Sequence, residues 1–183
     1  MRDEVVLRLG LAGMRAAEIT SLRIGDLHLD HDPPTIAWIG KASRSRRLVP
    51  GPALVRLLGR SLTAYEEHIG RRLRDDHPVV CRRKPGAGQG QVSWGHPIAR
   101  TCSIQDIVRS RATQAGLGHL SPHDLRRSAA GILHRARSAD GGHLFDLRDI
   151  QQVLDHADPA TTQRSYLDPL GTGTKERAAS YLD

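Results

Sequence analysis

The chain has little of what holds small secreted domains together. Only two cysteines, Cys81 and Cys102, occur in 183 residues, far apart and with no CxxC or Cys/His grouping. That pattern excludes a disulfide framework and a cysteine-based zinc site, and makes a reducing, cytoplasmic setting the expectation. No apolar run approaches the ~20 residues needed to cross a bilayer. Met1-Arg2-Asp3-Glu4 does not open a signal peptide. Aromatic residues make up 3% of the chain, and its three tyrosines are Tyr65, Tyr166 and Tyr181. Lysine is scarcer still: Lys41, Lys84 and Lys175 are the only lysines among 27 basic residues.

What the chain does have is arginine. A formal charge of +7 and a pI near 10.2 make an anionic partner plausible. The planar guanidinium fork suits phosphate oxygens. A GC-rich genome favours arginine codons for unrelated reasons, so charge alone leaves nucleic-acid binding at even odds. The length fits one domain with a real core.

Residues 4–13 read as a buried helix broken near Gly13. A second helix follows from Arg15 through Leu22, with Ile19 and Leu22 on its inner face. Thr35–Ile39 and Arg47–Val49 read as the two strands of a β-hairpin whose tip, 40–46, is cationic. Pro50-Gly51-Pro52 starts a helix running to about Arg72. Residues 82–96 read as the least structured stretch. Their GxGxG is a weak phosphate-cradle signal, because neither a leading strand nor a following helix start is evident. A helix over about 103–115 follows. Ser121-Pro122-His123-Asp124 combines an N-cap, a first-turn proline and an acid three residues after the cap, and opens a helix to about Arg135. A loop over 137–146 leads to a short helix at 147–155. Asp158-Pro159 starts a helix ending at Tyr166, and a last helix covers 175–182. The fold class is therefore α+β, mostly helical, with a small antiparallel sheet.

The chemistry centres on Tyr166. A phenol titrates near 10, so it attacks at neutral pH only where cations stabilise its anion. A tyrosine attacking a phosphodiester also needs preorganised cations on the non-bridging oxygens and a proton donor for the leaving oxygen. Arg, His and Lys in the chain can fill these places. His123 and Arg126 lie three residues apart, on one helix face. Arg15 lies at a helix start, with Glu18 one turn on to hold its guanidinium. Lys41 lies at the hairpin tip, and His156 lies just before the Asp158 cap.

These residues form four ordered blocks. Gly13-Met14-Arg15 with Glu18 and Leu22, Gly40-Lys41 with Arg47-Leu48-Val49-Pro50, Pro122-His123-Asp124-Leu125-Arg126, and Leu154-Asp155-His156 with Thr161-Thr162 and Tyr166 together resemble the catalytic domain of the tyrosine recombinases, the phage integrases and Xer-type resolvases. The resemblance covers nearly the whole chain. It implies the tyrosine-recombinase catalytic-domain fold over 1–183, without the family's N-terminal core-binding domain. By the same resemblance, Tyr166 forms a 3′-phosphotyrosyl link, Arg15 and Arg126 clamp the phosphate, and His156 adds a hydrogen bond to it. Lys41 is implied as general acid, and His123 as general base or tyrosine-orienting group. Neither metal, ATP nor any other cofactor is implied.

The implied partner is double-stranded DNA, with self-association into a tetrameric synapse, no membrane and no small-molecule substrate. Arg44, Arg46 and Arg47 read either as contacts to the DNA backbone or as a solvated charge run. The chain departs from the family pattern at Arg127 in place of a histidine and Asp155 in place of a glycine. It also has surplus residues in 137–146 and one extra residue between His156 and Tyr166. Two further readings are a type IB topoisomerase-like relaxer and a non-catalytic DNA-binding remnant.

Overall fold

The computed structural model describes residues 1–40, 45–83 and 92–154. The chain divides into two compact units, Met1–Leu125 and Arg126–Asp183.

The first unit opens with α1 (Arg2–Leu11), whose Val5, Val6 and Leu9 are buried at helical spacing while Asp3 and Glu4 sit in its positive first turn. Gly13 ends it with a φ of 96°, a region closed to most side chains, and the amide of Met14 returns to the Leu9 carbonyl. That reversal leads straight into α2 (Ala16–Ser21). A short turn at Ile24–Asp26 precedes strand β1 (Leu27–His28). Strands β2 (Thr35–Ile39) and β3 (Ser45–Leu48) complete an antiparallel sheet of order β1-β2-β3.

Helix α3 (Pro52–Ile69) starts on Pro52 and ends at Gly70 in the left-handed conformation, three residues short of the expected Arg72. Strands β4 (Cys81–Arg83) and β5 (Val92–Pro97) pair antiparallel, and α4 (Thr101–Gln114) closes the unit. Helix α1 packs on α2, α3 and α4, and one core holds Val6, Leu9, Ile19, Leu22, Leu58 and Ile104. Each such side chain contributes about 1.5–3 kcal/mol on burial.

The β4–β5 pair corrects the reading of 82–96 as unstructured. A strand does lead into the glycine-rich segment, and a second strand, not a helix, follows it. Two of the three β4 residues are arginines, so the sequence carries no strand period. The pairing is sustained from outside: Trp94 of β5 lies against Tyr65 of α3 with ring centroids 4.7 Å apart. The hairpin differs too, because β3 runs Ser45–Leu48 in place of the expected Arg47–Val49 and so brings Ser45 and Arg46 into the strand.

Helix α5 (Pro122–Arg135) begins in the first unit and continues in the second, which adds α6 (Leu147–Leu154). In the second unit Ala130, Ile150 and Leu154 are buried together, with Leu133 and Phe145 packed against them. The 137–146 segment folds locally: Arg137 and His143 form a β-bridge, and His143 stacks on His134 at 5.0 Å. The helices expected at 158–166 and 175–182 lie outside the described residues. Among the described residues no helix is long and apolar enough to cross a membrane.

Candidate active site

Arg15 is the N-cap of α2, a place where arginine offers no acceptor to the first-turn amides. Glu18 supplies the compensating half of a capping box: its Oε2 accepts the backbone N–H of Arg15 at 2.7 Å. Met14 before the cap and Ile19 after Glu18 are both buried in the same core, a hydrophobic staple that sets how the chain enters α2. The other carboxylate oxygen, Oε1, accepts the Arg15 guanidinium at 3.1 Å. As expected, the glutamate one turn on holds the arginine. Arg15 keeps 37% of its side chain exposed, while Glu18 keeps only 6%. Because α2 has only six residues, the fixed positive charge here is the guanidinium itself and not a long helix dipole.

A second arginine reaches the same oxygen. Arg46 Nη1 lies 3.2 Å from Glu18 Oε1, with 11% of the Arg46 side chain exposed. Arg46 pairs across the hairpin with Trp38, itself buried, so the two share one face of the sheet. Arg47, next along the strand, points to the opposite face and is exposed. The grouping of Arg46 and Arg47 as like contacts therefore separates: one is turned inward onto a carboxylate, the other outward. The signal available in the sequence was strand alternation, which places Arg46 inward once β3 starts at Ser45.

The His-x-x-Arg box lies on α5. The Ser121 Oγ donates to Asp124 Oδ2 at 2.6 Å and the Ser121 amide to the same oxygen at 2.9 Å, which fixes the helix start. His123 on the first turn is exposed, whereas Arg126 one turn later is 4% exposed. A guanidinium that deep requires hydrogen bonds. Arg126 Nη2 donates to the Leu154 carbonyl at 2.6 Å. That carbonyl belongs to the last described residue of α6. Arg126 thereby ties α5 to the point in the chain two residues before His156, a contact that no motif spacing revealed. Lys41, Arg44, His156 and Tyr166 lie outside the described residues. Among the described residues no three His, Cys, Asp or Glu side chains converge to hold a metal ion.

A second ionic cluster lies at the start of α1. Asp3 meets Arg2, Arg83 at 3.3 Å and Arg111 at 2.6 Å. Burial pushes its carboxyl upward, but hydrogen bonds from Arg111 and Arg2 outweigh this and leave its pKa lowered.

The sequence model described as the phage integrase family matches residues 1–170. The chain belongs to the phage integrase family. Tyrosine recombinase XerD of Neisseria meningitidis serogroup A is 32% identical over 164 residues, covering 89% of this chain and 49% of that protein. Tyrosine recombinase XerC of Corynebacterium efficiens is 34% identical over 163 residues, covering 88% of this chain and 45% of that one. The chain thus spans about half the length of the curated relatives it matches.

Among solved structures, the XerH site-specific recombinase bound to its palindromic difH substrate superposes with a TM-score of 0.69 at 23% identity, over all of this chain and 46% of that one. The XerA recombinase superposes at 0.61 with 23% identity, over 96% of this chain and 63% of that one. These likenesses establish the fold: this phage integrase family chain has the tyrosine-recombinase catalytic-domain architecture, with two small antiparallel sheets among helices in the described residues.

Proposed function

We propose that this chain cuts and rejoins DNA strands in site-specific recombination. The observation that carries the reading is the conjunction of four ordered motif blocks within the family match of 1–170 with an Arg15 already preorganised by Glu18. In the proposed reaction the Tyr166 phenolate attacks the scissile phosphorus. The phosphorus–tyrosine oxygen bond forms, the bond to the 5′-oxygen breaks, and a proton passes from Lys41 to that oxygen.

Charge on the non-bridging oxygens rises in the transition state, and Arg15, Arg126 and His156 are the groups set to meet it. The Arg15 guanidinium suits this role, because it is held by Glu18 while 37% of its side chain stays exposed to solvent. His123 acts as general base or orients the phenol. The resulting 3′-phosphotyrosyl ester keeps the energy of the broken diester, so religation by a 5′-hydroxyl is the reverse of the same step, with neither metal nor ATP in the proposal.

The partner is double-stranded DNA, with Arg44 and the outward Arg47 on its backbone, and the chain associates with further copies on that DNA. Relatives named XerC and XerD as tyrosine recombinases, and a structural neighbour bound to difH, support the same reading. A nicked suicide duplex that loses its 5′-fragment after cleavage tests it. The wild-type chain accumulates a covalent protein–DNA adduct, and Tyr166→Phe accumulates none. An adduct that survives this substitution refutes the assignment.

A further inference from the structure

Gly40 and Arg46 flank the ends of strands β2 and β3, and Arg46 links β3 to α2. The carboxylate of Glu18, buried to 6% of its side chain, takes Arg15 and Arg46 on a single oxygen at 3.1 and 3.2 Å. Its other oxygen is engaged by the Arg15 amide at 2.7 Å. The carboxylate therefore works as a clasp between the start of α2 and strand β3.

To reach it, Arg46 passes over Gly40 at the end of β2. A Cβ built on Gly40 would lie 2.5 Å from Arg46 Nε and 2.6 Å from its Cδ. Glycine at 40 is thus the condition for the path Arg46 takes. Antiparallel pairing of Ile39 with Ser45 and of Trp38 with Arg46 holds the two strands in register directly beside this crossing. Four residues, 41–44, separate Gly40 from Ser45. Both ends of that span are consequently held relative to Arg15 through one buried carboxylate.

We infer that Arg46 is a positioning residue for the leaving-group proton transfer: its clasp on Glu18 holds the Lys41-bearing hairpin in step with the Arg15 phosphate clamp. The inference rests on the strand-cleavage reading above, and it replaces a DNA-backbone role for Arg46. Glu18, which Arg46 meets, and Arg15, which shares that carboxylate, both belong to the site. Loss of Arg46 leaves Glu18 and Arg15 as a local pair and removes the Glu18 tie on strand β3.

The chemistry of the leaving group separates this role from a structural or phosphate-binding one. Two nicked duplexes are compared that differ only in the bridging atom at the scissile 5′-position, oxygen or sulfur. With sulfur the phosphorus–sulfur bond breaks to release a thiolate, which departs without a proton. With oxygen the alkoxide requires one. Single-turnover adduct formation is measured for the wild-type chain, Arg46→Ala and Gly40→Ala.

Arg46→Ala is expected to slow the oxygen substrate by about tenfold or more, within the ~10²–10⁴ that a general acid supplies. It is expected to leave the sulfur substrate within about twofold of wild type. Gly40→Ala, which displaces Arg46 without removing it, gives the same sulfur-rescued defect and decides the matter if Arg46→Ala does not fold. Equal slowing on both substrates, or no slowing on either, overturns the positioning role while leaving strand cleavage intact. If the wild-type chain forms no Tyr166-dependent adduct on either duplex, the cleavage reading itself falls, and this inference with it.

Discussion

Replacing Glu18 by glutamine removes one charge and almost no volume, so it isolates the electrostatic part of the clasp. The amide oxygen of glutamine still accepts the Arg15 backbone N–H, now held at 2.7 Å, so the cap of α2 survives. What is lost is the anion shared by two guanidiniums. Arg46, at 11% exposure, loses a charge-assisted bond in a mostly buried setting, a loss of about 2–3 kcal/mol. Arg15 is 37% exposed, so water screens its share to about 0.5 kcal/mol.

The expected total is about 3 kcal/mol, or roughly 6–12 °C in Tm at about 2–4 °C per kcal/mol for a chain of this size. Urea denaturation followed by circular dichroism should show a lower midpoint with an unchanged slope. The companion double variant carrying Glu18→Gln and Arg46→Met should regain most of the loss, since removing both partners of a buried pair costs far less than removing one. The double-mutant cycle is expected to return a coupling of about 2 kcal/mol. A coupling below about 0.5 kcal/mol, or a single-variant loss below about 1 kcal/mol, would refute the clasp as a source of order at the site.

Three further outcomes are expected. Arg126→Ala leaves the Leu154 carbonyl without its 2.6 Å donor, and should destabilise α6 by about 1–3 kcal/mol, read as faster amide exchange over 147–154. Asp3→Asn removes a group whose folded pKa is lowered, so its contribution is present above the unfolded value and lost as pH falls through the folded one. The variant should therefore be less stable than wild type at pH 7, and the gap should close as unfolding is measured at successively lower pH below 4. The pKa of His134 is lowered, chiefly by burial and then by its neighbours His143, Arg137 and Arg135. The unfolded chain takes up its proton first, so protection factors in 137–146, referred to the intrinsic exchange rate at each pH, should fall as pH drops below about 6.5, and His134→Phe should flatten that fall.

Helical segments were legible where apolar spacing or a cap marked them. The apolar run over 4–13 marked α1 as a buried helix, which spans Arg2–Leu11, and Ser121-Pro122 with Asp124 predicted the start of α5 to the residue. Glu18 as the holder of Arg15 was legible too, because a spacing of three on a helix turn is a contact by construction. Strands were read less well. Sheet pairing depends on partners distant in the chain, so β4, with two arginines in three residues, announced nothing until β5 and the Tyr65–Trp94 contact were in place. Likewise the register of β3, which starts at Ser45, decided which way Arg46 and Arg47 point, and a shift of one residue exchanges the two faces.

By itself the sequence determined the chemical inventory: arginines and histidines in ordered blocks ahead of one tyrosine, few lysines, no membrane-length apolar run and no cysteine scaffold. It also determined the family, since that is a property of residue order over 1–170. The tertiary structure alone decided the partners of the charges that meet across long stretches of chain. Arg46 became part of a buried carboxylate clasp, and Arg126 a donor to the end of α6. The physical reason is that a charge removed from water must be met by an opposite charge or a polar group wherever the fold brings one, and residue order does not record that distance.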